Sequence, residues 1–156
     1  MSSSVDATTF QERQKIRELA DQYFFHCDNQ NATAVANCFA KNGKLSSATQ
    51  KEMKLEGREG LEAGFRNLLT RGKTCHLIAS MDIAVDGQRA SGKLFALAYV
   101  AGAGEPGAPI LVRGLAYTDT YIMEDGRWVI ATRVHEAHWQ FQSTLIGTLL
   151  PPSPSK

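Results

Sequence analysis

Apolar residues in the first part of the chain return every three or four positions. Ile16, Leu19, Ala20, Tyr23, Phe24 and Cys27 form such a stripe and predict an amphipathic helix over about residues 9–28. Asn29-Gln30-Asn31 breaks it. Ala34, Val35, Cys38 and Phe39 then predict a second, shorter helix closed by Asn42-Gly43. Residues 44–56 show no clear period. Gly57 and Gly60 flank the start of a third helix that turns Leu61, Phe65, Leu68 and Leu69 inward and ends at Gly72. Beyond Gly72 the period changes, and 76–85, 88–100, 109–123 and 127–138 read as long strands. Asp86-Gly87 and Asp125-Gly126 are tight hairpin signals, and AGAGEPGAP reads as a longer, flexible hairpin loop. The proline-rich LLPPSPSK can be neither a central strand nor a helix.

Helices first and a meander of long strands last is an α+β order. Four antiparallel strands under a helical layer would make a sheet closed on one side, with a pocket between sheet and helices. A length of 156 residues favours one domain with a single core, placed at 9–142 between a flexible N-terminus (1–8) and a C-terminal tail (143–156).

Composition narrows the class. With 43% hydrophobic and 21% charged residues the chain is globular rather than disordered. The net charge is +1 with the basic residues scattered, which speaks against nucleic acid or an anionic membrane as partner. The apolar runs fall far short of a membrane span, and the N-terminus lacks a secretory pattern, so a cytoplasmic protein is expected. Cys27, Cys38 and Cys75 have no metal-type spacing and read as reduced, buried small hydrophobes.

The first helix ends its apolar side on a carboxylate, Asp28, and His76 stands at the mouth of the first long strand. Under a helical layer those two ends can meet, and a histidine held by a carboxylate is a general base with its tautomer fixed. A strand-edge histidine is also a common structural residue. Arg133, among apolar residues in WVIATRVHEAHW, needs a partner. A substrate oxygen or leaving anion is one candidate; a salt bridge across the sheet or at a subunit contact is the other. Tyr23 precedes Asp28 by about one turn, so its hydroxyl could reach a cavity or be buried with a hydrogen bond. His135 and His138 lie three apart on a strand and make poor joint metal ligands, and His26 is off the apolar stripe. No nucleophile elbow, phosphate loop or zinc spacing occurs, which removes acyl-transfer, nucleotide and metallohydrolase readings.

Three stretches carry a resemblance. IRELADQYFFHCDNQNATAVANCFAKNG resembles the opening of the SnoaL-like branch of the nuclear-transport-factor-like superfamily, LEGREGLEAGFRNL its third helix, and YTDTYIMEDGRWVIATRVHE its final hairpin. The resemblance covers roughly residues 10 to 140. It implies an α+β cone: three N-terminal helices on a strongly curved, mostly antiparallel sheet enclosing an apolar pocket. Within the branch the pattern is similar to scytalone dehydratase, bile-acid dehydratase and hexachlorocyclohexane dehydrochlorinase. That similarity implies an Asp-His dyad, Asp28 and His76, which abstracts a proton from a small hydrophobic cyclic substrate without cofactor or metal. Arg133 matches an arginine in the final strand of some members, and Tyr23 a pocket position that varies; both would stabilise a negative oxygen. The second tyrosine and second histidine of scytalone dehydratase have no clear equivalents. The expected outcome is elimination or isomerisation by a homo-oligomer, a trimer ahead of a dimer. The competing expectations are a non-catalytic binding or assembly module, as in dioxygenase small subunits, and a cyclase or ketosteroid-type isomerase using a lone acid.

Overall fold

The computed structural model describes residues 2–102 and 108–143, with side chains from residue 7 onward. The elements in order are α1 (Ser2–Asp28), α2 (Ala32–Asn37), β1 (Phe39–Ser47), β2 (Lys54–Glu56), α3 (Gly57–Leu69), β3 (Lys73–Asp86), β4 (Arg89–Ala101), β5 (Ile110–Glu124) and β6 (Arg127–Ser143). Most of the AGAGEPGAP loop and all of LLPPSPSK lie outside the described residues.

The α+β order holds: helices pack on a six-stranded sheet of order β2-β1-β6-β5-β4-β3. The four long strands form the expected antiparallel meander. Asp125 (φ 51) and Gly126 (φ 78) both adopt the positive φ that a primed two-residue turn requires. On the α1 stripe Ile16, Ala20, Tyr23, Phe24 and Cys27 are in the core, with Leu19 half-buried against it.

The second helix is shorter than its apolar spacing suggested. It stops at Asn37, and Phe39, Asn42 and Gly43 belong to strand β1. The cause is long-range pairing. Phe39 aligns with Ile130 and residues 44–47 with 132–135, in parallel with β6, across an irregularity between Phe39 and Lys44. A pairing between distant segments leaves no local periodicity to read. The helix α1 starts at Ser2 instead of near residue 9.

Alternation decides what each strand offers the interior. On β4, Leu94, Ala96 and Ala98 face inward while Phe95 and Tyr99 are exposed on the other side. The small side chains of Ala96 and Ala98 leave space beneath the helices. On β3 the same rule turns His76 inward and Cys75 outward, so Cys75 is exposed and only Cys27 and Cys38 are buried as expected. On the outer face Trp139 lies directly over Gly114, where any Cβ would collide with its indole ring. No described helix is long and apolar enough to cross a membrane.

Candidate active site

The last turn of α1 fixes the position of Asp28. Asn31 N donates to His26 O (2.9 Å) and Gln30 N to Cys27 O (3.0 Å), with Gln30 at φ 56, the Schellman pattern that ends a helix on a left-handed residue. The Gln30 side chain donates to Leu69 O (2.6 Å) and Gly72 O (3.1 Å), which ties this helix end to the α3–β3 connection. Asn31 then caps α2 by accepting from Ala34 N at 3.0 Å. The polar triplet that reads as a break is thus a hinge-pin between three elements.

Held there, Asp28 faces the start of β3. His76 Nδ1 lies 2.6 Å from Asp28 Oδ1, and the His76 backbone N–H donates to Oδ2 at 2.9 Å. Thr74, two residues earlier and on the same strand face, donates its hydroxyl to Oδ1 at 2.8 Å. An ionised carboxylate only accepts, so the proton between the pair sits on Nδ1, and Nε2 is the free, basic nitrogen. Phe24 stacks on the imidazole with ring centroids 4.8 Å apart and planes at 24°. The His76 side chain is 13% exposed and that of Asp28 is 24% exposed.

His76 lines a cavity of about 390 Å³ between helices and sheet. The wall is largely apolar, with Phe65, Leu68, Leu115 and Ala98 among its residues, and Asp28 stands behind the histidine ring rather than in the wall. Tyr23 and Cys27 reach the cavity from α1. Burial pushes the Cys27 thiol up to about 12, so it offers no thiolate. Burial likewise holds the Tyr23 phenol well above its usual range.

Arg133 does not line the cavity. It is fully buried one layer deeper, where Nε and Nη2 donate to the two oxygens of Asp119 at 2.9 and 2.6 Å, and Tyr121 Oη adds a bond to Asp119 Oδ2 at 2.6 Å. Asp119 and Arg133 are direct neighbours across β5 and β6. The guanidinium carbon sits 4.2 Å from the Tyr23 ring centroid and 4.8 Å from that of Tyr117. Of the two partners open to Arg133 in the sequence, the structure supplies the salt bridge across the sheet.

Among the polar cavity residues, Arg113 was not singled out in the sequence and His135 was weighed there only as a metal ligand. Arg113 on β5 and His135 on β6 both line the wall. Each carried a usable signal. Arg113 sits in the apolar run ILVRGLAY, as conspicuous as Arg133, and His135 is two residues from Arg133 on the same strand face. His135 Nδ1 lies 3.4 Å from Ser47 Oγ. Burial first, then the charges of Arg113, Arg133 and His76, push its pKa down to about 4, so the ring is neutral near pH 7. His138 points away and approaches Glu136 at 3.5 Å, and no group of three or more potential metal ligands occurs among the described residues.

The family model described as SnoaL-like domain matches residues 8–134. No curated protein matches the chain. Among solved structures, a candidate scytalone dehydratase from Novosphingobium aromaticivorans superposes with a TM-score of 0.80 at 20% identity, over 97% of this chain and 99% of that one. A hexachlorocyclohexane dehydrochlorinase from Novosphingobium barchaimii gives a TM-score of 0.76 at 17% identity, over 94% and 99%. A protein of unknown function from Mycobacterium tuberculosis gives 0.72 at 25% identity, over 82% and 77%. At these identities the likeness shows a shared fold.

Proposed function

The chain belongs to the SnoaL-like domain family, and from that premise we propose that it is a lyase of the dehydratase or dehydrohalogenase type, or a related isomerase, acting on a small hydrophobic cyclic substrate. One observation carries the reading: a histidine in the wall of an apolar cavity has its Nδ1 held 2.6 Å from a carboxylate, leaving Nε2 free as a base. His76 takes a proton from a carbon beside an activating group. Asp28 keeps the ring in the right tautomer and stabilises the imidazolium. In a dehydration the same proton returns to the departing hydroxyl as water. In a dehydrohalogenation the halide leaves with its electron pair, and in an isomerisation the proton returns to a second carbon. A side-chain base supplies the proton transfer, so the reading calls for no cofactor. General-base catalysis contributes about 10²- to 10⁴-fold, and positioning in the cavity supplies the rest. Tyr23 lines the cavity from the helix side. Arg133 acts at one remove, seating the Tyr23 and Tyr117 rings.

The same reading carries a homo-oligomer, a trimer ahead of a dimer, assembled through the outer sheet face. What supports it is the cluster of exposed Leu77, Phe95, Tyr99, Trp139 and Phe141 on strands β3, β4 and β6.

The test is a screen of cyclic alcohols and halides with an acidic C–H beside the leaving group, read by the absorbance of the new double bond. His76→Ala should abolish turnover while the melting temperature and apolar-dye binding hold. Asp28→Asn should lose roughly 10- to 10³-fold in kcat, and the double variant should be little worse than His76→Ala. Both single variants turning over the substrate at the wild-type rate, or both unfolding, would make the pair structural.

A further inference from the structure

Arg113 shares a cross-sheet row with the proposed base. His76 aligns with Ala98 on β4, and Ala98 with Arg113 on β5, all three lining the cavity. Two strand spacings separate the backbones of His76 and Arg113 by about 9.6 Å. A single methyl group stands between them, so a ring-sized apolar body lying over Ala98 has the imidazole at one end and the guanidinium at the other.

The two interior arginines of the sheet contrast sharply. Arg133 has a bidentate carboxylate and two aromatic faces, with its Nη1 alone left without an acceptor. Arg113 has no ion pair or hydrogen bond among the described residues, and its Nε is buried without an acceptor. The residue as a whole is half-buried against the cavity, so a ligand that displaces the solvent there leaves the guanidinium short of a counter-charge unless it brings one. His135, in the same cavity wall, stays neutral and does not compete for an anion. Ser47 Oγ already accepts from the N–H groups of Thr49 (3.2 Å) and Gln50 (3.0 Å), so its own proton points to His135 Nδ1. That leaves the His135 proton on Nε2, a second donor at the same cavity.

We propose that Arg113, with His135 in the same cavity wall, is the recognition site for a negatively charged oxygen on the ligand of this cavity: a carboxylate, or a carbonyl oxygen that becomes an enolate when the adjacent proton leaves. The enolate form rests on His76 acting as the base; the carboxylate form does not. In the enolate form, the C–H electron pair moves into a double bond to the carbonyl carbon and the carbonyl π pair onto oxygen, with the proton on His76 Nε2. Arg113 holds the oxygen charge. Collapse restores C=O and forms the new C=C bond as the bond to the leaving group breaks, and a departing hydroxide takes the proton from His76 as water.

Three probes separate the cases by titration calorimetry and absorbance: 2-naphthoate for a carboxylate, 2-naphthol for an enolate, and naphthalene-2-methanol as the neutral control. The expected result is that the wild type binds naphthoate about tenfold or more tightly than the neutral control, or ionises bound naphthol well below its pKa in water, or both. Arg113→Met and Arg113→Gln should each remove that preference and leave the neutral probe unchanged. Arg113→Lys should keep part of it. His76→Ala should keep all of it, so a failed dyad and a failed anion site give different results. The melting temperature of ligand-free Arg113→Met should match or exceed the wild type, since an unpaired cation is lost. The inference is overturned by wild type and both neutral variants binding all three probes alike, or by no probe binding the wild type.

Discussion

Asp28 occupies the end of α1, where the helix dipole is negative and a carboxylate is least welcome. Its three donors, two from His76 and one from Thr74, offset that. Thr74→Val should therefore lower kcat by roughly tenfold or somewhat more with KM little changed, since one hydrogen bond to a charged group is worth about 1.5 kcal/mol or somewhat more. Steady-state kinetics on a substrate from the screen would check it; an unchanged kcat would mean the hydroxyl does not hold the dyad. Arg133 leads to a different expectation. Arg133→Leu should cost about 3–5 kcal/mol, because Asp119 is left charged and buried, whereas Arg133→Leu with Asp119→Leu should recover much of that in urea melts. His135 predicts a pH dependence. Its folded pKa of about 4 lies below the ordinary 6.5, so between those values the unfolded chain binds more protons. Its contribution is complete above pH 6.5 and fades toward pH 4, with Arg113, Arg133 and His76 opposing protonation and Glu136 favouring it. His135→Asn should flatten that acid limb by up to one proton in a series of thermal melts. The chain pattern alone left the meeting of Asp28 and His76 open beside a structural histidine, and it was the family resemblance that pointed to the pair. Which way Arg133 would pair was not legible, since Asp119 lies on another strand and only register brings them together.

At the scale of elements, Gln30 carries more than a turn residue usually does. It holds the left-handed φ of 56 and also bonds the end of α3. Gln30→Ala should lose those bonds and keep the backbone strain; Gln30→Gly loses the bonds but relieves the strain. The glycine variant should therefore be the more stable by about 1 kcal/mol, measurable by denaturant titration. Element existence was legible wherever one face is buried and the period is sustained, as on α1, α3 and the four long strands. The segment around Phe39 was not, because its apolar spacing fits the end of a helix as well as the start of a strand. Its parallel partner, β6, decided the matter from the far end of the chain.

For the whole molecule, the exposed aromatics of the outer face set the prediction. Light scattering at micromolar concentration should give an oligomer, a trimer ahead of a dimer, and Trp139→Ser with Phe141→Ser should shift it toward monomer; a stable wild-type monomer would count against the assembly. The parallel seam between β1 and β6 also has a meaning in time. A ribosome releases β1 early, yet Phe39 has no lateral partner on that side until Ile130 emerges. Asp28 and His76 can meet while synthesis is still under way, and β3, β4 and β5 can zip as each appears. Until β6 slots between β1 and β5, both of those strands present open edges to neighbouring chains. That final insertion joins the two halves of the sheet and delivers His135 to the cavity at the same moment. A pause in translation upstream of β6 would thus favour aggregation, and a chaperone that shields strand edges should raise the yield more than one acting on the helices.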